Sequence, residues 1–382
     1  MRAPVCIIVC LFLLPLLQAQ DSSAVVKDTL LFRGMLSPWV IFNPSGTSPV
    51  WLGGRYIPQL NYEIHLPSGK LIDVEASANL SAQAGLGSSD TAILAGNISP
   101  YRLWARYSNA QFEARLGLQK INFGSATIMR PLMWFDQVDP RDPLQLTNGV
   151  WGFLGRYYFL NNTNIWLWIL HGSNKPRTWE LAPSKTSLPE FGGRFQSAIK
   201  RGEAGISYHH RITDTRQLGL SAAHVPENRI GFDAKWDLVI GLWVEGVWIN
   251  KKGDIGMFSN QQIATVGADY TFGIGNGLNF IAEQFVTAFG NDVLSPKQYV
   301  TLSALALSYP LTMFDNVSCM VYYDHHNKNI YRFVNWKHQF NKFYVYLMAY
   351  WNPDNTLIPQ QQTNQANLFA GRGLQLMLVY NH

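Results

Sequence analysis

From Arg229 to Leu238 the chain reads RIGFDAKWDL. The charged residues Arg229, Asp233, Lys235 and Asp237 hold odd positions, and Ile230, Phe232, Ala234, Trp236 and Leu238 fill the even ones. Successive side chains of a strand point to opposite faces, so this segment predicts a strand with one charged and one apolar side. The same period of two recurs in YRLWARY (Tyr101–Tyr107), QFEARLGLQ (Gln111–Gln119), EAGISYH (Glu203–His209) and IATVGADY (Ile263–Tyr270). Nineteen segments of this kind can be marked along the chain, one of them at 216–224. An even count is the rule for closed antiparallel barrels of bacteria, so one segment is in excess. The expected fold is all-β, a transmembrane antiparallel up-and-down barrel of about 18 strands, with 16 as the alternative.

A soluble sandwich would show the same alternation with its apolar side inward. Two features favour a barrel in lipid. The segments are long, and Trp and Tyr edge them, as in WARY, NIWLWIL and GLWVEGVW. Aromatic rings at strand ends suit the two water–lipid interfaces. After residue 20 the longest unbroken apolar run is FYVYLMAYW, Phe343 to Trp351. It is too short for a spanning helix, which needs about 20 residues, and matches a spanning strand of about 9–11. A closed barrel also pairs every backbone polar group without an edge.

Composition agrees. Charged residues are 14% of the chain, against roughly 25% in an ordinary soluble domain. The formal charge is +5, and without Arg2 it is +4, with no basic block. Nothing there points to nucleic acid. The opening MRAPVCIIVCLFLLPLLQAQ reads as a secretory signal cut after Ala19. The expected organisation is therefore a signal peptide at 1–19 and a single barrel domain at 20–382. Cys6 and Cys10 would leave with the signal, so Cys319 alone would remain, with no internal disulfide and no Cys-based zinc site.

If the even face of RIGFDAKWDL meets lipid, the odd face lines a lumen. The same rule gives Arg102, Arg106, Glu113, Arg115, Gln119, Arg156, Arg194, Gln196, Arg229, Asp233, Lys235, Glu245, Asp269 and Glu283 as inward candidates for solute binding. A midplane Arg or Lys facing lipid would cost roughly 2–4 kcal/mol, so the lumen is its natural place. These residues either select solutes or pair with one another and fill a closed barrel. Arg102, Arg106 and Arg115 cluster one sign and are the best case for selectivity. Three connections are long, at 124–149, 172–189 and 352–365. In such barrels the long ones are extracellular.

Three stretches carry a family resemblance. LGLQKINFG (Leu116–Gly124) precedes DQVDPRDP (Asp136–Pro143). PEFGGRFQ (Pro189–Gln196) leads into GEAGISYHHR. RIGFDAKWDLVIGLWVE (Arg229–Glu245) holds Gly-Phe-Asp and a Trp-Asp pair. The pattern resembles Gram-negative outer-membrane porin-like barrels, especially the Bacteroidetes-type family related to alginate-export barrels. The resemblance implies an outer-membrane location, contact with lipid and lipopolysaccharide, and insertion by the barrel-assembly machinery. It also implies passive passage of small polar or anionic solutes, with no cofactor and no chemical step. The C-terminal LVYNH departs from barrels that end in an aromatic, since Tyr380 stands two residues short. PEFGG opens a strand here, so no pore eyelet is carried over to it.

Other readings rest on single constellations. Ser207 and His209 share a face, which would let a base activate a hydroxyl in an outer-membrane lipid hydrolase. Their face is the polar one, however, away from lipid. Asp136, Asp139 and Asp142 could hold calcium, but Asp beside Pro is ordinary turn chemistry. The pairs His209–His210 and His325–His326 cannot chelate locally, because neighbours on a strand face opposite sides. A plugged, surface-binding barrel is a further alternative. A transporter of hydrophobic solutes would need a greasier lumen than the alternation predicts.

Overall fold

The structure is a computed structural model and describes residues 28–45, 48–87, 93–218, 224–253, 255–293, 295–354 and 368–382. The expected signal peptide lies outside these residues. The strands are β1 (Thr29–Phe42), β2 (Val50–Leu66), β3 (Lys70–Leu86), β4 (Ile93–Ser108), β5 (Phe112–Gln119) and β6 (Val150–Tyr158). They continue as β7 (Asn164–His171), β8 (Pro189–Ile199), β9 (Gly202–Asp214), β10 (His224–Asp237), β11 (Gly241–Lys251) and β12 (Asn260–Phe272). The last six are β13 (Leu278–Gly290), β14 (Gln298–Pro310), β15 (Asp315–Asp324), β16 (Asn329–Gln339), β17 (Phe343–Trp351) and β18 (Arg372–Asn381). Each pairs antiparallel with its chain neighbours, and β1 pairs with β18, so one 18-stranded sheet closes on itself.

The expected count of 18 holds, and the excess segment was 216–224. Residues Thr215–Leu218 form a 3₁₀ turn, 219–223 lie outside the described residues, and His224 already belongs to β10. The alternation there belongs to a connection. Without that segment, the connection after Trp351 follows an odd-numbered strand, like the other two long ones; much of it, 355–367, lies outside the described residues.

The two ends of the barrel differ. Connections after even-numbered strands run two to five residues, whereas those after odd-numbered strands include 120–149 and 172–188. The start of β1 and the end of β18 both lie at the short-turn end, where the His382 N–H donates to the Gly34 carbonyl at 3.0 Å and the Gly34 N–H returns the bond.

The outer wall is apolar and exposed, with Leu116, Leu167, Ile206, Phe232 and Leu376 among its members. Aromatic rings gather near the short turns, where Tyr107 meets Phe112, Tyr270 meets Phe272 and Phe343 stacks on Tyr380. Exposed Trp151, Trp248, Trp351 and Tyr299 stand near the other end. Two such belts match the two interfaces of a bilayer. No helix among the described residues is long and apolar enough to cross a membrane; the crossing elements are strands.

Candidate functional site

The connection 120–149 turns into the lumen. Its run TIMRPLMWF (Thr127–Phe135) is too apolar to lie in water, and Ile128, Met129, Leu132, Met133, Trp134 and Phe135 are each at most 3% exposed. All of these except Met133 share one buried cluster with Phe285, Leu302, Tyr322, Phe333 and Tyr350 from the inner face of β13–β17. One wall of the lumen is thus greasy, which the alternation of charge on β10 did not foretell.

Three carboxylates fasten this segment. Glu283 on β13 accepts the backbone N–H groups of Thr127 (2.7 Å), Ile128 (3.0 Å) and Met129 (2.6 Å), and the Trp243 indole N–H at 3.1 Å. Glu245 on β11 accepts from Ala126 N–H at 2.8 Å and from Leu132 N–H. Asp233 on β10 accepts from the Ser125 hydroxyl at 2.9 Å. Thr265 returns a bond to the Met129 carbonyl at 2.7 Å. Asp233 and Glu245 lie directly opposite one another in the β10–β11 register, where like charges repel. Separate compensation keeps them there, since Arg194 holds Asp233 through two bonds of 2.6 and 3.0 Å while backbone dipoles hold Glu245. Gly124 opens the segment at φ +103°, and a β-carbon there would stand 2.6 Å from a Glu245 carboxylate oxygen.

The connection 172–188 folds in as well and is tied by charge. Arg177 pairs with Glu190 at 2.7 Å, and Glu180 meets Arg229 at 2.7 Å and Arg211 at 3.0 Å. Glu227 pairs with Arg211 at 2.6 Å and with Arg229 at 2.7 Å, and Lys251 approaches it at 3.5 Å. Burial alone would raise the Glu180 carboxyl, but Arg211, Arg177 and Arg229 outweigh it and hold the group below its usual range. Trp179 locks the two connections together: its indole N–H donates to the Arg130 carbonyl at 2.8 Å and its ring stacks on Phe285 at 5.1 Å.

The predicted inward residues therefore separate into groups. Arg194, Arg229, Asp233, Glu245 and Glu283 face inward but are enclosed and engaged in anchoring. Gln119 is enclosed too, donating to the Gly152 carbonyl at 3.0 Å. Arg102 is buried against the Thr147 carbonyl and hydroxyl, so it does not join Arg106 and Arg115. Lys235 lies toward the short turns, 3.6 Å from Asp237, and Asp269 stands opposite Gly241. Arg106, Arg115 and Arg156 converge on Glu113 at 3.8, 3.0 and 3.6 Å, and Arg106 also clasps Asp73 with two bonds of 2.8 Å. Their side chains retain 27, 14 and 15% exposure, against at most 2% for Arg194, Arg211 and Arg229. Of these six arginines, water in the lumen reaches the first three.

Arg33, Arg55, Lys120, Arg130, Arg177, Glu180, Glu190, Arg211 and Glu227 were not singled out from the sequence. Arg211 and Glu227 follow from the same odd-position rule, and Arg33 and Arg55 from alternation in β1 and β2. The others lie in connections or at a strand entrance, where alternation is silent.

Ser207 and His209 do not form a dyad. The Ser207 hydroxyl receives the Arg194 guanidinium at 3.1 Å, and His209 Nδ1 accepts the Trp168 indole N–H at 3.2 Å. A second pair stands on the outer wall, with Ser303 Oγ 2.8 Å from His325 Nε2. Gln284 donates its Nε2 to the Leu302 carbonyl at 3.1 Å, so its Oε1, 2.6 Å from Ser303, takes the serine proton. His325 then donates to Ser303 and cannot act as its base. Asp139 and Asp142 make turns, accepting from Arg141 N–H and Leu144 N–H at 2.9 Å each. Asp136 lies 3.5 Å from Arg130, and no group of metal ligands occurs among the described residues.

The sequence matches no family model and no curated protein. Solved structures share the architecture. Acinetobacter baumannii OccAB3 superposes with a TM-score of 0.55 at 8% identity, covering 92% of this chain and 99% of that one. OccAB2 from the same organism gives 0.54 at 10% identity, covering 95% and 99%. Salmonella typhi OmpF, in a complex with daunomycin, gives 0.50 at 11% identity, covering 92% and 97%. These neighbours are Gram-negative outer-membrane porins, and at such identities the likeness is one of fold.

Proposed function

We propose that this barrel is a passive outer-membrane channel for small polar solutes, with a preference for anions, narrowed by the inward 120–149 segment. One observation carries the reading. The inner wall of β1–β6 presents Arg33, Arg55, Arg102, Arg106, Arg115 and Arg156 against Glu63, Asp73, Glu75 and Glu113, which is six positive charges to four negative. On β8–β13 the inward charges of the anchoring network are enclosed and paired, and the inner face of β13–β17 is apolar under the segment, so the field a solute meets comes chiefly from β1–β6. The apolar outer wall and its aromatic belts support a place in the Gram-negative outer membrane, against lipid and lipopolysaccharide, reached through the barrel-assembly machinery. The three stretches quoted above support kinship with the Bacteroidetes-type porin-like family.

Single-channel conductance of the refolded mature protein in a planar bilayer tests this, with reversal potential read in a salt gradient. Stable steps with anion preference are expected. Replacing Arg106, Arg115 and Arg156 together by Ala is expected to reverse the preference, since two acidic partners outlive them. Unchanged selectivity in that variant would remove these arginines from the mechanism. The apolar packing of the segment favours one second reading, a plugged barrel that acts through its outer connections. A folded but silent barrel would select it.

A further inference from the structure

Just past the end of β5, the 120–149 connection folds around a cavity of about 330 Å³, in the size range of small-molecule sites. Its polar lining comes from Lys120, Asn122, Thr127, Arg130 and Gln145. We propose that this cavity binds a single small oxyanion, with Lys120 as its principal ligand and Arg130 beside it. The inference rests on the channel reading for its purpose but not for its chemistry.

Lys120 is a half-buried ammonium with no hydrogen bond or ion pair among the described residues. Buried charge without a partner is costly, and natural structures pair or ligate it. Burial lowers its affinity for the proton; Asp136 works against that, and Arg130 and Arg102 add to it. Asp136 could have neutralised Lys120 directly, but it leans toward Arg130 at 3.5 Å, and burial pushes its own carboxyl up. The site therefore carries two cations against one acid.

Arg130 is held in place rather than free to swing. One of its terminal nitrogens donates to Asn122 Oδ1 and to the Phe123 carbonyl at 3.0 Å. The other has only the long contact to Asp136, so it retains donor capacity toward the cavity. Gln145 is a non-glycine residue at φ +45°. Left-handed backbone is unfavourable for an L-residue, and here it accompanies a side chain that lines the cavity. Ammonium, guanidinium, amide and hydroxyl donors around one space match a carboxylate or a phosphate.

The test is calorimetric titration of the detergent-solubilised, full-length mature barrel with inorganic phosphate and, separately, with acetate. Saturable one-to-one binding of either anion is expected, weakened at least tenfold in Lys120→Met. Binding of phosphate alone would mark a tetrahedral oxyanion, and binding of both a site that also takes carboxylates. Lys120→Met removes no internal bond, so it should keep the wild-type heat-modifiable mobility of a folded barrel. Equal affinity in the variant, or no saturable binding of either anion to the wild type, overturns the site. No conduction enters this measurement, so a silent barrel that binds the anion would fail only the channel reading. An anion-selective channel without binding would fail only the site.

Discussion

Replacing Glu245 and Glu283 together by Ala is expected to raise single-channel conductance several-fold. The two carboxylates accept five backbone N–H groups, from Ala126, Leu132, Thr127, Ile128 and Met129. A buried donor left unsatisfied costs roughly 1–3 kcal/mol. Five such donors exceed what one connection can bear, so the segment will leave the wall and take its bonds from water. The barrel itself should persist, because its ladder does not pass through these side chains. Wild-type conductance in the double variant would mean that apolar packing alone holds the segment, and the carboxylates would lose their role as anchors.

The second large effect is expected at Arg211→Met. Arg211 joins Glu227, Glu180, the Ala182 carbonyl at 3.1 Å and the Ser184 hydroxyl at 3.0 Å. Removing one partner from a buried ionic group costs about 3–5 kcal/mol. Most of that cost should fall on the 172–188 connection. Trypsin cleavage within it, at Arg177 or Lys185, should accelerate about a hundredfold or more, as 3 kcal/mol of local opening requires. An unchanged cleavage rate would show that Trp179 and the strand-like contact of Ser184 with Thr213 suffice. Acid should imitate the variant. Glu180 is held below its ordinary value of 4.5, so its contribution is complete above that pH and disappears as pH falls through the lower folded-state value. Protection should be constant from pH 7 down to the ordinary value of 4.5, and an acid protease should find the connection open only below it.

Alternation made the wall legible. The odd positions of RIGFDAKWDL do point inward, because a period of two is a local property of the backbone. It also misled at 216–224, where a similar pattern belongs to a connection. The site was less legible, because its geometry depends on neighbours in space. Ser207 and His209 share a face, yet Arg194 across the sheet claims the first and Trp168 the second. Arg102 and Arg106 look alike in sequence, and the arrival of Thr147 buries only one of them. TIMRPLMWF was the available signal for an inward segment, since a run with seven apolar residues in nine does not belong in water. Nothing local in that run says which wall would receive it.

The anchors of this segment lie far along the chain, with Asp233, Glu245 and Glu283 some 108 to 156 residues beyond the groups they hold. Each contact closes a long loop, and loop closure is what slows folding. The strands that carry the anchors are also among the later ones to be made. During assembly, therefore, the sheet must grow from β5 through β13 before the constriction can be set.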